Sequence, residues 1–175
     1  MRKTRFERPS EGEMNRNVLA ATLQELSAMP GHLETAANSV RASQWTTRDE
    51  NGGFSFVEHA CHLRDIDADG FSVRIERMLS ETNPALPDID GAKLAAERDY
   101  LAQDFKAALI GFANARVEIV RRLAALTPAD RSRVGTLEGV GELSIDGLVL
   151  KILEHDGEHR RDFEALRDQL SGGRL

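Results

Sequence analysis

Residues 144–170 read SIDGLVLKILEHDGEHRRDFEALRDQL, and this stretch predicts the fold more strongly than any other. Residues spaced three or four apart lie on one face of an α-helix, and here that face is largely apolar. Its members are Leu148, Ile152, His155, His159, Phe163, Leu166 and Leu170. Ser144 is a favourable helix N-cap, and Gly172-Gly173 suits a C-terminal stop. The stretch is therefore predicted to be a long amphipathic helix with a buried face.

Two histidines stand in the middle of that face, where leucine would be the usual residue. Residues four apart on a helix have Cβ atoms about 5–6 Å apart, so the imidazoles of His155 and His159 can bind one metal ion at about 2.0–2.1 Å each. A buried imidazole costs free energy unless its ring nitrogens find partners, which favours a functional role. Because two ligands do not make a tight site, a third is expected from another helix.

The candidates for the third ligand are His59 and His62, which lie in the run EHACHL at residues 58–63. On a helix these two positions are separated by about 60°, so both lie on roughly one side. Helical periodicity alone does not choose between them.

Most of the remaining chain also has a helical pattern. Three further long helices are predicted, over residues 13–29, 55–80 and 92–126, with breaks at prolines and glycines. The second of them opens with a capping box, in which the Ser55 hydroxyl and the Glu58 carboxylate each accept a backbone N–H. Residues 32–51 are predicted to form a short helical turn and then a loop carrying Trp45.

Strands are hardly visible in the sequence. The alternation from Val134 to Leu143 is short and glycine-rich, so no sheet is predicted there. Four long helices with one or two short ones predict an all-α protein, a four-helix bundle whose core is a usual place for metal sites. Residues 13–171 are predicted to form this single domain, after a flexible tail at residues 1–12.

The composition is that of a soluble globular domain. The 175 residues are 41% hydrophobic and carry a net charge of −6 at pH 7. Neither a nucleic acid nor a membrane is therefore an expected partner. No apolar run is long enough to predict a signal peptide or a membrane span. The single cysteine, Cys61, excludes an internal disulfide and fits a reducing compartment, so the expected location is the cytoplasm.

Residues 54–65, FSFVEHACHLRD, resemble the pattern W-S-x-x-E-x-x-x-H-L-x-D that opens members of the DinB/YfiT-like superfamily, with Phe54 in place of tryptophan. The pair Arg74-Ile75 before the loop at residues 84–87, the run FANAR at residues 112–116 and the closing histidine pair are also similar. The resemblance covers roughly residues 45–166. It points to the damage-inducible metalloproteins, which are unrelated to the DNA polymerase of the same name.

The resemblance implies a four-helix bundle in up-down-down-up order that forms homodimers. It also implies a divalent metal ion, zinc or nickel, bound by His62, His155 and His159. On that basis His59 would contact a ligand, pack in the core or line the pocket. The implied function is that of a metal-dependent transferase that acts on a small molecule with a low-molecular-weight thiol. A metal-dependent hydrolase and a non-catalytic metal-binding stress protein are the alternatives.

Three neutral imidazoles leave a bound divalent ion at least one open position. Such an ion can lower the pKa of water to about 7 or hold a thiol as the thiolate. The candidate catalytic residues are Asp156, Glu158 and Arg116. The two acids would act as bases or orient a ligand imidazole, unless they are only charges on a solvated face. Arg116 would bind a substrate carboxylate or pair with a buried acid such as Asp65 or Asp69.

Overall fold

The computed structural model describes residues 14–172, and helices dominate them. The α-helices are α1 Arg16–Asn38, α2 Phe56–Asp65, α3 Ser72–Ser80, α4 Gly91–Glu97, α5 Phe105–Ala124, α6 Pro128–Arg131 and α7 Ile145–Gly172. A π-helical segment, Ile66–Phe71, joins α2 to α3 without a break, so these three form one rod. Short 3₁₀ turns cover Ala42–Gln44 and Tyr100–Ala102. The strands are β1 Ala85–Leu86, β2 Val134–Leu137 and β3 Gly141–Ser144.

The long helices form the predicted four-helix bundle, made of α1, the α2–α3 rod, α5 and α7. The rod packs on α5, while α1 packs on both α5 and α7. One part of the core contains Leu33, Phe56 and Phe163, and the other contains Leu26 and Ile152. The predicted flexible tail at residues 1–12 lies outside the described residues. Between residues 14 and 172, no helix combines the length and the apolar character that crossing a membrane requires.

Helix α1 runs past the position where it was predicted to stop. It was expected to end at Met29, before Pro30, but it continues to Asn38 with Pro30 inside it. Proline has no N–H to donate to the carbonyl of Leu26, four residues earlier. That carbonyl instead accepts a hydrogen bond from Nη1 of Arg116 at 3.0 Å. A side chain from α5 therefore replaces the missing helical hydrogen bond.

The predicted start and end of the second long helix are confirmed. The backbone N–H of Ser55 donates to Oε2 of Glu58 at 3.0 Å, and the N–H of Glu58 donates to Oγ of Ser55 at 3.3 Å. The rod ends at Ser80, as predicted. Its π-helical segment was not predicted, because one extra residue per turn leaves no clear mark on an apolar pattern.

The single helix predicted over residues 92–126 is wrong, because the structure divides it. Helix α4 ends at Glu97, and α5 begins only at Phe105. Between them Asp99 has a φ of 45°, in the left-handed region that a helix interior does not allow. Asp104 then caps α5, with its Oδ1 accepting the N–H of Ala107 at 2.7 Å. Two aspartates at turn positions therefore end one helix and start the next.

The prediction that residues 134–143 form no sheet is also wrong. Strands β2 and β3 form an antiparallel hairpin, and β1 pairs in parallel with β2. Gly139 and Gly141, with φ of 74° and 104°, supply the hairpin turn. A Cβ on Gly135 would lie 2.8 Å from Cδ1 of Leu86, so that glycine allows β2 to pack closely. The glycines that argued against a sheet are thus the residues that its turn and packing require.

A buried ion cluster connects the helices at the centre of the bundle. The guanidinium of Arg116 donates from Nε to Oδ2 of Asp67 at 2.7 Å and from Nη2 to Oδ1 of Asp156 at 2.9 Å. Arg116 and Asp67 are only 1% exposed. With the bond to Leu26, the cluster joins α1, the π-helical segment, α5 and α7. The acids that Arg116 pairs with are therefore Asp67 and Asp156, and not the predicted Asp65 or Asp69.

The first prediction concerns this cluster. The substitution Arg116→Met leaves two buried carboxylates without a counter-charge, so we expect a loss of about 3–5 kcal/mol of unfolding free energy. Urea unfolding at neutral pH measures it. Adding Asp67→Asn and Asp156→Asn to that variant removes the unpaired charges and is expected to restore part of the loss.

Arg121→Met is the matched control, because Arg121 is exposed and pairs with Glu118 on its own helix. It is expected to leave the unfolding free energy essentially unchanged, because an exposed ion pair contributes little to stability. Equal losses in the two variants would show that the cluster at Arg116 does not hold the bundle together.

Candidate metal centre

Three histidine nitrogens from two rods converge in the core. Nε2 of His62, on α2, lies 3.2 Å from Nε2 of His155, on α7. Nε2 of His155 lies 3.1 Å from Nε2 of His159, one helical turn further along. His62 is buried, at 6% exposed, and the other two rings are half-buried. The residues that the sequence analysis selected are therefore brought together by the fold.

The spacing of these nitrogens suits one shared ion. If each imidazole binds at about 2.0–2.1 Å, both of these nitrogen pairs could reach the same ion, because each separation is less than twice that bond length. One ligand atom from each of His62, His155 and His159 lies within 4.8 Å of the other two. Within residues 14–172, this is the group of histidine, cysteine and acidic side chains whose placement could hold a metal.

Burial keeps the three imidazoles neutral. It lowers the pKa of His62 to about 3, that of His155 to about 2 and that of His159 to about 4. The neighbouring imidazoles lower the first two further, since a proton on one ring would repel a proton on the next. A neutral imidazole has a free lone pair, which is the form that binds a metal. The cluster is therefore ready to act as a ligand set at neutral pH.

Apolar groups and one glycine surround the cluster. The ring of Phe54 lies 5.3 Å from that of His62, and the ring of Phe71 lies 5.7 Å from that of His155, centroid to centroid. At the start of α4, a Cβ on Gly91 would lie 2.6 Å from Cε1 of His62. The backbone can approach this imidazole only because residue 91 has no side chain. Sequence analysis missed Gly91, since a glycine at a helix start has no pattern that links it to a distant histidine.

His59 lies beside the cluster but outside it. Its Nδ1 is 3.1 Å from Nδ1 of His159, the ring nitrogen that faces away from the other two histidines. His59 is 2% exposed, and burial holds its pKa well below the usual value. Of the three roles that the sequence left open, the structure thus shows contact with a candidate ligand.

Of the three candidate catalytic residues, two are paired with each other and the third is exposed. Asp156 is buried and paired with Arg116, so it is neither a free base nor a solvated surface charge. Arg116 binds two carboxylates of the chain itself rather than offering its guanidinium to a substrate. Glu158 is exposed, as expected for a solvated face. Cys61 is buried, and burial raises the pKa of its thiol to about 11, which fits a packing residue.

A helical bundle with converging buried histidines defines a class of candidate metalloproteins, and comparison with known proteins identifies the family. The family model described as the DinB superfamily matches residues 25–163. The chain belongs to the DinB superfamily, which confirms the resemblance found in the sequence.

A solved structure has the same fold. It is YfiT from Bacillus subtilis, described as a probable metal-dependent hydrolase with an unusual four-helix bundle topology. It superimposes with a TM-score of 0.82 at 18% sequence identity, over 95% of this chain and 94% of that one. No curated protein matches the sequence significantly.

The second prediction follows from the neutral histidines. Unfolding exposes them, so below about pH 6.5 the unfolded chain takes up protons that the folded chain does not. The stability of the metal-free protein is therefore lost as the pH falls from about 6.5 towards the folded pKa values. Each histidine that stays neutral in the folded protein contributes up to about 1.4 kcal/mol per pH unit to that slope.

The variant His155→Leu is expected to lose stability less steeply than the wild type in this acid range. Urea unfolding in the presence of a chelator, repeated across the range, measures both slopes. Above about pH 8, where a histidine is neutral in both states, the two slopes should coincide. Parallel curves in acid would mean that His155 is protonated in the folded protein.

Proposed function

We propose that this protein binds one divalent metal ion through Nε2 of His62, His155 and His159, and that it is a metal-dependent transferase that uses a low-molecular-weight thiol. The proposal rests on the convergence of three neutral imidazoles, with Nε2 of His155 3.2 Å from that of His62 and 3.1 Å from that of His159. Three imidazoles accept zinc and nickel, which are the proposed metals. Nδ1 of His62 and Nδ1 of His155 have no hydrogen-bonding partner among residues 14–172, so packing rather than a polar network holds these two rings.

When bound, a divalent ion with three protein ligands supplies an open position and lowers the pKa of a coordinated thiol or water. The chain's own residues position the imidazoles and exclude water from them. Phe54 and Phe71 place apolar rings against the imidazoles, and Gly91 closes the side next to His62. Such walls favour a nucleophile that is weakly hydrated, because removing its water costs less.

The acids support a thiol over water as the nucleophile. A hydrolase commonly uses a carboxylate or histidine as a general base to take up a proton at the site. Of the two acids that lie between His155 and His159 in the sequence, Asp156 is bonded to Arg116 and Glu158 is exposed. Because a thiol ionises far more readily than water, a thiol nucleophile needs a general base less than water does.

Hydrolysis is the second candidate function, and one observation favours it. YfiT, whose fold this chain shares, is described as a probable metal-dependent hydrolase. Water activated by a metal ion alone can also act without a carboxylate. The reaction class must therefore be decided by whether the centre takes up sulfur.

The third prediction tests metal binding. The wild-type protein, loaded and then desalted, is expected to retain one zinc or nickel ion per chain. His62→Ala, His155→Ala and His159→Ala should each fall well below that content, because two imidazoles do not make a tight site. Elemental analysis measures it. Full metal content in all three variants would overturn the proposed ligand set.

A matched glycine pair tests the site without removing a ligand. Gly91→Ala places a methyl group against the ring of His62, and displacing a ligand in this way is expected to weaken binding about tenfold or more. Gly157→Ala is the control, since its methyl group would lie 3.6 Å from Nη1 of Arg161, an ordinary van der Waals distance. It lies between the two histidines of α7 and should leave the affinity unchanged.

The fourth prediction separates the two reaction classes. Cobalt-substituted protein is titrated with 2-mercaptoethanol and, in parallel, with ethylene glycol, which differs by oxygen in place of sulfur. The thiol is expected to produce a saturable sulfur-to-cobalt absorption band with the cobalt still bound after desalting, and the diol none. If the thiol produces no band while the visible spectrum changes with pH near 7, hydrolysis is the better reading.

A further inference from the structure

The three candidate ligands differ at the ring nitrogen that faces away from the centre. In a metal-binding histidine, this second nitrogen usually carries a proton and donates it to a neighbouring acceptor, which fixes the tautomer and the ring orientation. Among the described residues, Nδ1 of His62 and Nδ1 of His155 have no such partner. Nδ1 of His159 has one, Nδ1 of His59 at 3.1 Å. One of the three rings is therefore oriented by a hydrogen bond.

The contact has only one arrangement that suits metal binding. If Nε2 of His159 offers its lone pair to an ion, the proton of the neutral ring must stand on Nδ1. Nδ1 of His59 must then accept that proton, and the proton of His59 must stand on its own Nε2. We propose that His59 is a positioning residue that holds His159 in its metal-binding tautomer. This inference rests on the proposed function and assigns His59 no place among the ligands.

This arrangement of protons lowers the stability of the folded protein. Nε2 of His59 is enclosed, and it meets no hydrogen-bonding group of residues 14–172. The ring instead stands edge-on between Phe54 and Phe163, at centroid distances of 5.7 and 5.8 Å. A buried N–H without an acceptor destabilises a protein, whereas an apolar side chain at the same place does not. A residue kept only for packing would not be a histidine here.

Two substitutions at His59 separate positioning from packing. His59→Leu fills the space but removes the acceptor, so zinc affinity, measured by competition with a chelator, is expected to fall about 10–100-fold. The same variant without metal removes the enclosed N–H of His59 but also removes the partner of Nδ1 of His159, so its melting temperature is expected to stay within about 2–4 °C of the wild type. His59→Asn can present an amide oxygen where Nδ1 stood and should recover most of the affinity.

Each outcome decides the matter. Wild-type affinity in the leucine variant, or no recovery with asparagine, would overturn the positioning role while leaving the proposed function intact. Failure of the wild type itself to bind zinc would overturn both. Should the leucine variant not fold, imidazole ¹⁵N shifts of the zinc-loaded wild type still decide. A proton on Nδ1 of His159 and none on Nδ1 of His59 supports the role, and the reverse overturns it.

Discussion

The pairing of one buried cation determines how the helices of this bundle meet. A guanidinium enclosed at 1% exposure must be surrounded by acceptors, and Arg116 finds them on α1, the π-helical segment and α7. Asp156, one of these acceptors, directly follows His155 in the chain. Holding Asp156 towards α5 fixes the rotation of α7 about its axis. In the same orientation of α7, His155 and His159, which lie next to Asp156 around the helix, face His62. The ion cluster and the histidine cluster are thus set by one constraint.

In the histidine centre, burial alone produces the neutral imidazoles that metal binding requires. Removing water from the imidazoles lowers the pKa of each of the three, which makes their lone pairs available at neutral pH. The same desolvation is unfavourable for the fold, because most of the outward nitrogens find no acceptor among the described residues. A core of leucines at these positions would be more stable. An ion that binds only the folded state stabilises that state, and this stabilisation can offset the cost of burying the imidazoles.

Local signals in the sequence predicted what depends on local interactions. The capping box at Ser55, the N-cap at Ser144 and the histidine stripe of α7 involve residues within one or two turns, and all are found in the structure. The errors come from distant partners. Pro30 was expected to end α1, but Arg116, remote in sequence, donates a hydrogen bond to the Leu26 carbonyl that proline leaves without a helical partner. Asp67 lies four residues after Leu63 on the buried face of its rod, and its partner Arg116 is also remote in sequence. Neither contact has a pattern near it in the chain.

The rings of the three candidate ligands are held in different ways. How firmly each ring is held affects the chemistry that the centre can support. His159 is tied by a hydrogen bond to His59, whereas His62 rests against the bare backbone of Gly91 and His155 against the edge of Phe71. Rings fixed by packing can shift by tenths of an ångström without breaking a polar bond. If these three rings hold an ion, one anchored and two compliant ligands would tolerate changes in coordination when an exogenous group enters. Such tolerance suits a reactive site, while a purely structural metal site is usually closed by four protein ligands.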